Sequence, residues 1–276
     1  MTGTTASAIN PDRLARVAAA LEAAESILVI TGAGISADSG IPTYRGIGGL
    51  YNDRMTDENL SIEQALSSIT LELRPDITWK YLWEIGRVCR QAQPNRAHHV
   101  IRAIERWKPQ AWTLTQNIDG LHRAAGSQNL IEIHGRGDRL VCMACDGEMS
   151  IESMFPDPSQ TPELPPRCPV CRGVVRPRVV LFGELLPSEA IGQLMAVLDR
   201  QPEVTIVVGT TAAFPYIAQP VQVASAAGRM TIEINPSTTP ISEQVSDRFA
   251  IRAAAWFDAL WDLLKTRNPE LANLLD

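Results

Sequence analysis

Six short, nearly all-apolar runs, long and partly helical stretches between most of them, and two Cys-x-x-Cys pairs predict the fold class of this 276-residue chain. It is α/β: a Rossmann-like parallel sheet of about six strands with a smaller zinc-ribbon plus helical lobe. Continuous apolar runs suit strands buried on both faces, and parallel neighbours need the crossovers that the intervening stretches supply. Hydrophobic residues make up 45%, charged residues 20%, and the formal net charge is −6. That balance suits a globular chain with a sizeable core and lacks the basic surplus of a general nucleic-acid binder. No apolar run approaches the roughly 18 residues of a membrane span. Residues 1–10 have neither the basic start nor the apolar stretch of a secretory signal. A cytoplasmic protein is expected, with no membrane partner and no specific nucleic-acid partner.

The elements follow in order. Asn10 and Pro11 fit the start of a helix whose apolar face is Leu14, Val17, Ala18 and Leu21. The expected strands are Ile27–Thr31, Ala111–Thr115, Leu130–Ile133, Val179–Phe182, Val204–Val208 and Met230–Ile234. A discontinuous large domain over 10–45, 97–139 and 177–265 is expected, with a helical insert at 46–96 and a cysteine-bearing insert at 140–176 forming the small one. Trp79, Tyr81 and Trp83 in the first insert read as packing residues. Each expected strand ends on polar or glycine residues: Gly32 to Ser36, then Gln116, Asn117 and Asp119, then His134, then Gly183 and Glu184, then Gly209, Thr210 and Thr211, then Asn235. Open α/β sheets bind ligands outside these carboxyl ends.

The cysteines point to a metal. Cys142 and Cys145 form one pair, Cys168 and Cys171 the other, with 22 residues between them. Two such knuckles close a tetrahedral thiolate shell around zinc and leave no open position, so the ion is structural. The alternatives are a redox pair or four unrelated thiols. Cys89 reads as a buried helix thiol. Gly32-x-Gly34-x-x-Ala37 fits a dinucleotide fingerprint, although glycines also make plain turns. No acidic residue closes a second strand to hold a ribose; Asp53 has the spacing but falls in the loop-like stretch 46–53. Of the four histidines, His98 and His99 sit in an expected helix and His122 reads as structural. His134 alone follows a strand and precedes a glycine, and the residues by themselves leave catalytic and structural roles open.

Gly32-Ala-Gly-Ile-Ser-Ala-Asp-Ser-Gly-Ile-Pro-Thr-Tyr-Arg45, Thr115-Gln-Asn-Ile-Asp-Gly-Leu-His122, Ile133-His-Gly135, the paired cysteines, Arg176-Pro-Arg-Val-Val-Leu-Phe-Gly-Glu184 and Glu233-Ile-Asn235 occur in this order. Together they resemble the sirtuins, NAD-dependent protein-lysine deacylases, over roughly residues 25–260. The resemblance implies that NAD is consumed as a co-substrate. The acyl oxygen displaces nicotinamide, a base activates a ribose hydroxyl, and the acyl group leaves on ADP-ribose. It also implies roles. Gly32, Ala33, Gly34, Ile35 and Ser36 line the pyrophosphate, and Tyr44 and Arg45 lie over the nicotinamide end. Gln116 and Asn117, with Ile118 beside them, hold the reacting ribose, and Asp119 holds the carboxamide. Gly209, Thr210, Thr211, Asn235, Pro236 and Ser237 hold the adenosine half. Val180, Phe182, Gly183 and Glu184 bind acylated-lysine substrates, His134 is the general base, and Asn117 is catalytic with it.

Three departures from the family pattern stand out. Tyr44 replaces the usual phenylalanine, Thr211 the usual serine, and Ala212-Ala-Phe-Pro-Tyr216 is atypical. The Tyr-x-x-Arg pair of sirtuins that take acidic acyl groups has no counterpart in register around Tyr81 and Arg87, which favours acetyl or another neutral acyl group. Competing readings are NAD hydrolysis or ADP-ribosyl transfer, a zinc-containing NAD dehydrogenase and a zinc-ribbon adaptor.

Overall fold

The computed structural model of the protein describes residues 9–43, 55–157, 160 and 162–275. Asn10 starts the fold by accepting hydrogen bonds from the amides of Asp12 (3.0 Å) and Arg13 (3.1 Å). Pro11, at a position that needs no amide donor, opens helix α1 (Pro11–Ala23). The remaining helices are α2 (Ile62–Ala65), α3 (Ser68–Leu73), α4 (Pro75–Gln91), α5 (Arg96–Trp107), α6 (Leu121–Ala124), α7 (Ile151–Met154), α8 (Ser188–Leu198), α9 (Pro215–Ala226) and α10 (Ala253–Arg267). The strands are β1 (Ser26–Thr31), β2 (Gln110–Thr115), β3 (Leu130–Glu132), β4 (Gly135–Cys142), β5 (Glu148–Ser150), β6 (Val175–Val179), β7 (Val204–Val208), β8 (Met230–Ile234) and β9 (Asp247–Phe249).

Six strands form one sheet in the order β3-β2-β1-β7-β8-β9, and every neighbouring pair is parallel. The alternation of side chains explains why β1 is apolar throughout. Ile27 and Val29 face α1, α5 and α10, packing with Val17, Ile101, Trp256 and Phe257. Leu28 and Ile30 face the opposite layer of α8 and α9, with Leu194, Ile217 and Val221. Successive strands are added outward on one side from β1 to β3 and on the other from β7 to β9, so the strand order reverses between β1 and β7 and a crevice opens at their carboxyl ends.

The second sheet is antiparallel, in the order β5-β4-β6. It shares a core with the helices before it: Leu71, Ile77, Trp79, Leu82 and Ile85 pack with Leu140, Val175 and Leu181. The indole of Trp79 donates to the Val175 carbonyl (2.7 Å), which gives this tryptophan a packing role. The chain passes between the two sheets at 133–135 and 179–180.

The expected fourth strand, Val179–Phe182, is not a member of the parallel sheet. Its place in the count is taken by β9, which the sequence reading missed. The strand instead runs over Val175–Val179, in the small sheet, and Val180 to Phe182 continue as extended chain between the lobes. The physical reason is one-sided burial: Val179 and Leu181 are buried while Phe182 is exposed. A strand between two helical layers would bury both faces. β9 escaped notice because it holds only Asp247, Arg248 and Phe249. Its buried Asp247 is bound by Arg13 (2.8 Å) and Arg16 (2.6 Å) of α1.

Two buried imidazoles make the fold acid-sensitive. His98 and His122 meet edge to face with centroids 4.8 Å apart. Burial lowers His98 to about 2 and His122 to about 4. An unfolded histidine titrates near 6.5, so below that pH the unfolded chain binds protons that the folded chain refuses. Stability is therefore complete above about pH 6.5 and falls with acid, by at most about 1.4 kcal/mol per pH unit for each histidine. Denaturant midpoints should be lower at pH 5 than at pH 7.5, with a smaller drop in His98→Gln. A parent midpoint that does not move across that interval would contradict this.

Candidate active site and metal centre

Three loops at the switch point are bound to one another before any ligand is considered. The Gly34 amide donates to the Gly209 carbonyl (2.7 Å), joining the loops after β1 and β7. Gln116, after β2, donates from its side chain to the Thr210 hydroxyl (2.8 Å). Asn117 donates to the Gly32 carbonyl (3.1 Å) and the Ser36 hydroxyl (3.2 Å), and Ser36 donates to Asp119 (2.7 Å). Behind them Thr31 bridges Thr115 (2.9 Å) and His122 (3.0 Å). This explains the structural role of His122: it supports the ends of β1 and β2 from the core side.

A cavity of about 600 Å³ opens over this network. Among the expected residues, Gly32, Ala33, Gly34, Ser36, Gln116, Asn117, Ile118, Asp119, His134, Val180, Phe182, Gly183, Glu184, Gly209, Thr210 and Thr211 line it. Others stand apart from its wall. The Ile35 side chain is fully buried in the core beside α1. Asn235 is buried and donates to the Thr210 carbonyl (2.9 Å), while accepting from the Ser237 amide (3.0 Å). It thus shapes the loop after β7, with Pro236 and Ser237 exposed beyond it. Tyr44 and Arg45, like Asp53, lie outside the described residues.

His134 follows β3, where its carbonyl accepts from the Val180 amide (2.8 Å). Its Nδ1 lies 2.8 Å from the Gln116 carbonyl. A carbonyl only accepts, so Nδ1 carries the proton and Nε2 presents a lone pair. Burial lowers the His134 pKa against a smaller opposing effect of that carbonyl, which keeps the ring neutral. Burial also raises the Asp119 carboxyl, while the Leu121 amide and Ser36 hydroxyl pull it the other way. Gly135, next to His134, has φ of +79°, and a Cβ there would come within 2.2 Å of the Arg178 carbonyl. The sharp turn that presents His134 therefore requires glycine.

The far end of the cavity is apolar. Leu66, Leu82, Ile85 and Val88 line it together with Cys89, whose thiol burial pushes up to about 12. Cys89 is thus protonated and inert at neutral pH. Phe182 adjoins this lining and bonds to the helical insert: its amide donates to the Leu66 carbonyl (3.0 Å) and its carbonyl accepts from the Ser68 amide (3.0 Å). Glu184 turns back into the protein, accepting from the Arg176 guanidinium and the Leu181 amide (2.8 Å). The sequence reading gave none of the α4 residues that line the cavity a part in the site: Cys89 was read as a buried helix thiol, and the segment around Trp79, Tyr81 and Trp83 as packing. Phe214 and Tyr216 also line the cavity, in the segment noted as atypical.

The four paired cysteines converge. Their sulfurs all lie within 4.8 Å of one another, with Cys142 and Cys171 3.4 Å apart and Cys145 and Cys168 3.8 Å apart. Zinc–sulfur bonds of about 2.3 Å make a tetrahedron with edges of about 3.8 Å, so the set fits one zinc ion. The knuckles match: the Asp146 amide donates to the Cys142 carbonyl (3.1 Å) and the Arg172 amide to the Cys168 carbonyl (3.0 Å). Asp146 and Arg172 both have positive φ, 55° and 65°. A Cβ at Gly173 would come within 2.7 Å of the Ala144 Cβ and 3.1 Å of the Cys142 sulfur, so glycine there lets the two knuckles close on each other.

The Sir2 family model matches residues 32–214. An NAD-dependent protein deacylase 2 of Pseudomonas aeruginosa is 52% identical over 243 residues, covering 87% of this chain and 93% of that one. The protein of the same description from Pseudomonas syringae pv. tomato is 47% identical, with coverage of 87% and 95%. A solved Sir2 homologue in complex with NAD superposes with a TM-score of 0.79 at 31% identity, covering 94% of this chain and 95% of that one. The chain belongs to the Sir2 family.

Purified protein should carry one zinc ion per chain. Structural sites of this kind supply about 10 kcal/mol or more of folding free energy in isolated fingers. Cys→Ala at any of the four positions should therefore loosen the small sheet and lower the melting temperature. Metal analysis finding no stoichiometric zinc in folded protein would refute the assignment.

Proposed function

We propose that this enzyme removes neutral acyl groups, acetyl foremost, from protein lysines, using NAD as a co-substrate. The observation that carries the reading is the placement of the unprotonated imidazole nitrogen, His134 Nε2, on the same cavity wall as the bonded loops of Gly32 to Ser36 and Gln116 to Asp119. Bound NAD would supply the ribose carbon to which the acyl oxygen adds as nicotinamide leaves. The chain's own residues do the rest. Gly32 to Ser36 and Gly209 to Thr211 cradle the pyrophosphate and adenosine ends. Asn117 and Gln116 orient the reacting ribose, and Asp119 takes the carboxamide. His134, neutral near pH 7, accepts the proton of a ribose hydroxyl through Nε2. Val180, Phe182 and Gly183 line the cavity where the acylated lysine would enter, while Glu184 holds the turn that presents them.

The neutral-acyl preference rests on the apolar end of the cavity. Leu82 and Ile85 occupy the α4 face there, and among the described residues of that helical insert Glu63 is the one side chain that lines it with a formal charge. A carboxylate repels an acidic acyl group. Tyr81 binds Glu58 instead, and Arg87 is exposed away from the lining. We also propose a cytoplasmic location, because four thiolates held for zinc suit a reducing compartment.

The test is deacylation of an acetyl-lysine peptide with and without NAD, in the parent and in His134→Ala. Turnover should require NAD and fall about 10²–10⁴-fold in the variant. Nicotinamide exchange, which precedes base action, should survive in His134→Ala and be impaired in Asn117→Ala. Near-parental turnover in His134→Ala, or product formed without NAD, would refute the mechanism.

A further inference from the structure

The lone pair of His134 is already taken. The hydroxyl of Tyr216, in the first turn of α9, lies 2.7 Å from Nε2. Because Nδ1–H is committed to the Gln116 carbonyl, Nε2 is the acceptor in this contact and the phenol is the donor. Tyr216 is placed for this by its neighbour. Its ring stacks on Phe214 at 5.3 Å with an interplanar angle of 11°, and both rings meet the imidazole edge to face. We propose that Tyr216 is a positioning residue for the general base: its hydroxyl holds His134 in the tautomer and orientation that the reaction needs and gives up Nε2 when the ribose hydroxyl arrives.

Three observations make this more than a resting contact. Burial pushes the Tyr216 hydroxyl up to about 12, so it remains a donor throughout the working pH range. A hydrogen bond donated to the neutral imidazole favours that form over the imidazolium. The pinned ring is held at both nitrogens, which fixes its plane as well as its tautomer. During turnover the exchange needs no new chemistry. The phenol O–H turns away, the ribose O–H takes its place at Nε2, and the ribose proton passes to that nitrogen. The tyrosine neither gains nor loses a proton. The other titratable groups on the cavity wall are engaged elsewhere or remote in kind. Asp119 is bound to Ser36 and the Leu121 amide, Glu184 to Arg176, and Cys89 is protonated; Glu63, on α2, lines the wall as well.

The proposal rests on His134 being the base but is tested apart from it. Tyr216→Phe keeps the ring stacked on Phe214 and removes only the donor. NMR titration of the His134 ring nitrogens in the free protein, assigned with His134→Ala, should show the imidazole protonating about half a unit to one unit higher in the variant. The acid limb of the kcat/KM profile for deacylation should move up by the same interval. An unmoved ring titration would overturn the proposal. So would lower turnover with both titrations unchanged, since that is what a purely structural hydroxyl would give. If the parent had no deacylase activity, the functional reading would fail while the NMR measurement still decided the role of Tyr216.

Discussion

The Gly34 amide and the Gly209 carbonyl are 2.7 Å apart, and much of the site depends on that contact. It joins β1 to β7 where the strand order reverses, so the two loops form one continuous rim instead of two separate turns. Nothing larger than glycine fits on either side. A Cβ at Gly34 would stand 2.6 Å from the Gly209 Cα, and a Cβ at Gly209 would be equally close to Gly34. At Gly32 it would meet the Thr210 Cβ at 2.7 Å. The glycines of the fingerprint are therefore required by the protein's own backbone before any pyrophosphate arrives. A Gly34→Val variant would disturb the rim itself, so its loss of NAD binding would not isolate a ligand contact.

From this rim the rest of the site follows by hydrogen bonding. Asn117 and Gln116 reach across from β2 to Gly32 and Thr210, and Asn235 fixes Thr210 from behind. His134 is brought to the same crevice by the turn at Gly135. The small lobe completes the far wall. Its zinc knuckles and helices share one core, and the extended chain from Val180 to Phe182 ties that core to both the His134 carbonyl and Leu66. A loosened zinc site would thus be felt at the extended chain from Val180 to Phe182 through packing, although four thiolates leave the metal no open position for chemistry.

Much of this was legible in the sequence because the signals were local. Continuous apolar runs marked β1, β2, β7 and β8, and their polar ends marked the crevice. The cysteine spacing implied the tetrahedral set that the structure brings together. What was hidden depended on tertiary context. Val179–Phe182 has the composition of a buried strand yet is buried on one side only. Asp247–Phe249 has the composition of a loop yet pairs with β8, its buried Asp247 held by two arginines of α1. Ile35 sits inside the fingerprint, but its side chain belongs to the core. Tyr216 is visible in the sequence as part of an atypical segment, and only the fold shows that the segment ends against His134.

The central claim is that the loops after β1, β2 and β7 act as one binding rim for NAD. Amide hydrogen exchange with and without saturating NAD tests it most directly. The account predicts that residues 32–36, 116–119 and 209–211 gain protection together, while the knuckles around Cys142 and Cys168 do not change. Protection confined to one of the three loops, or absent from all of them while NAD is bound, would contradict it.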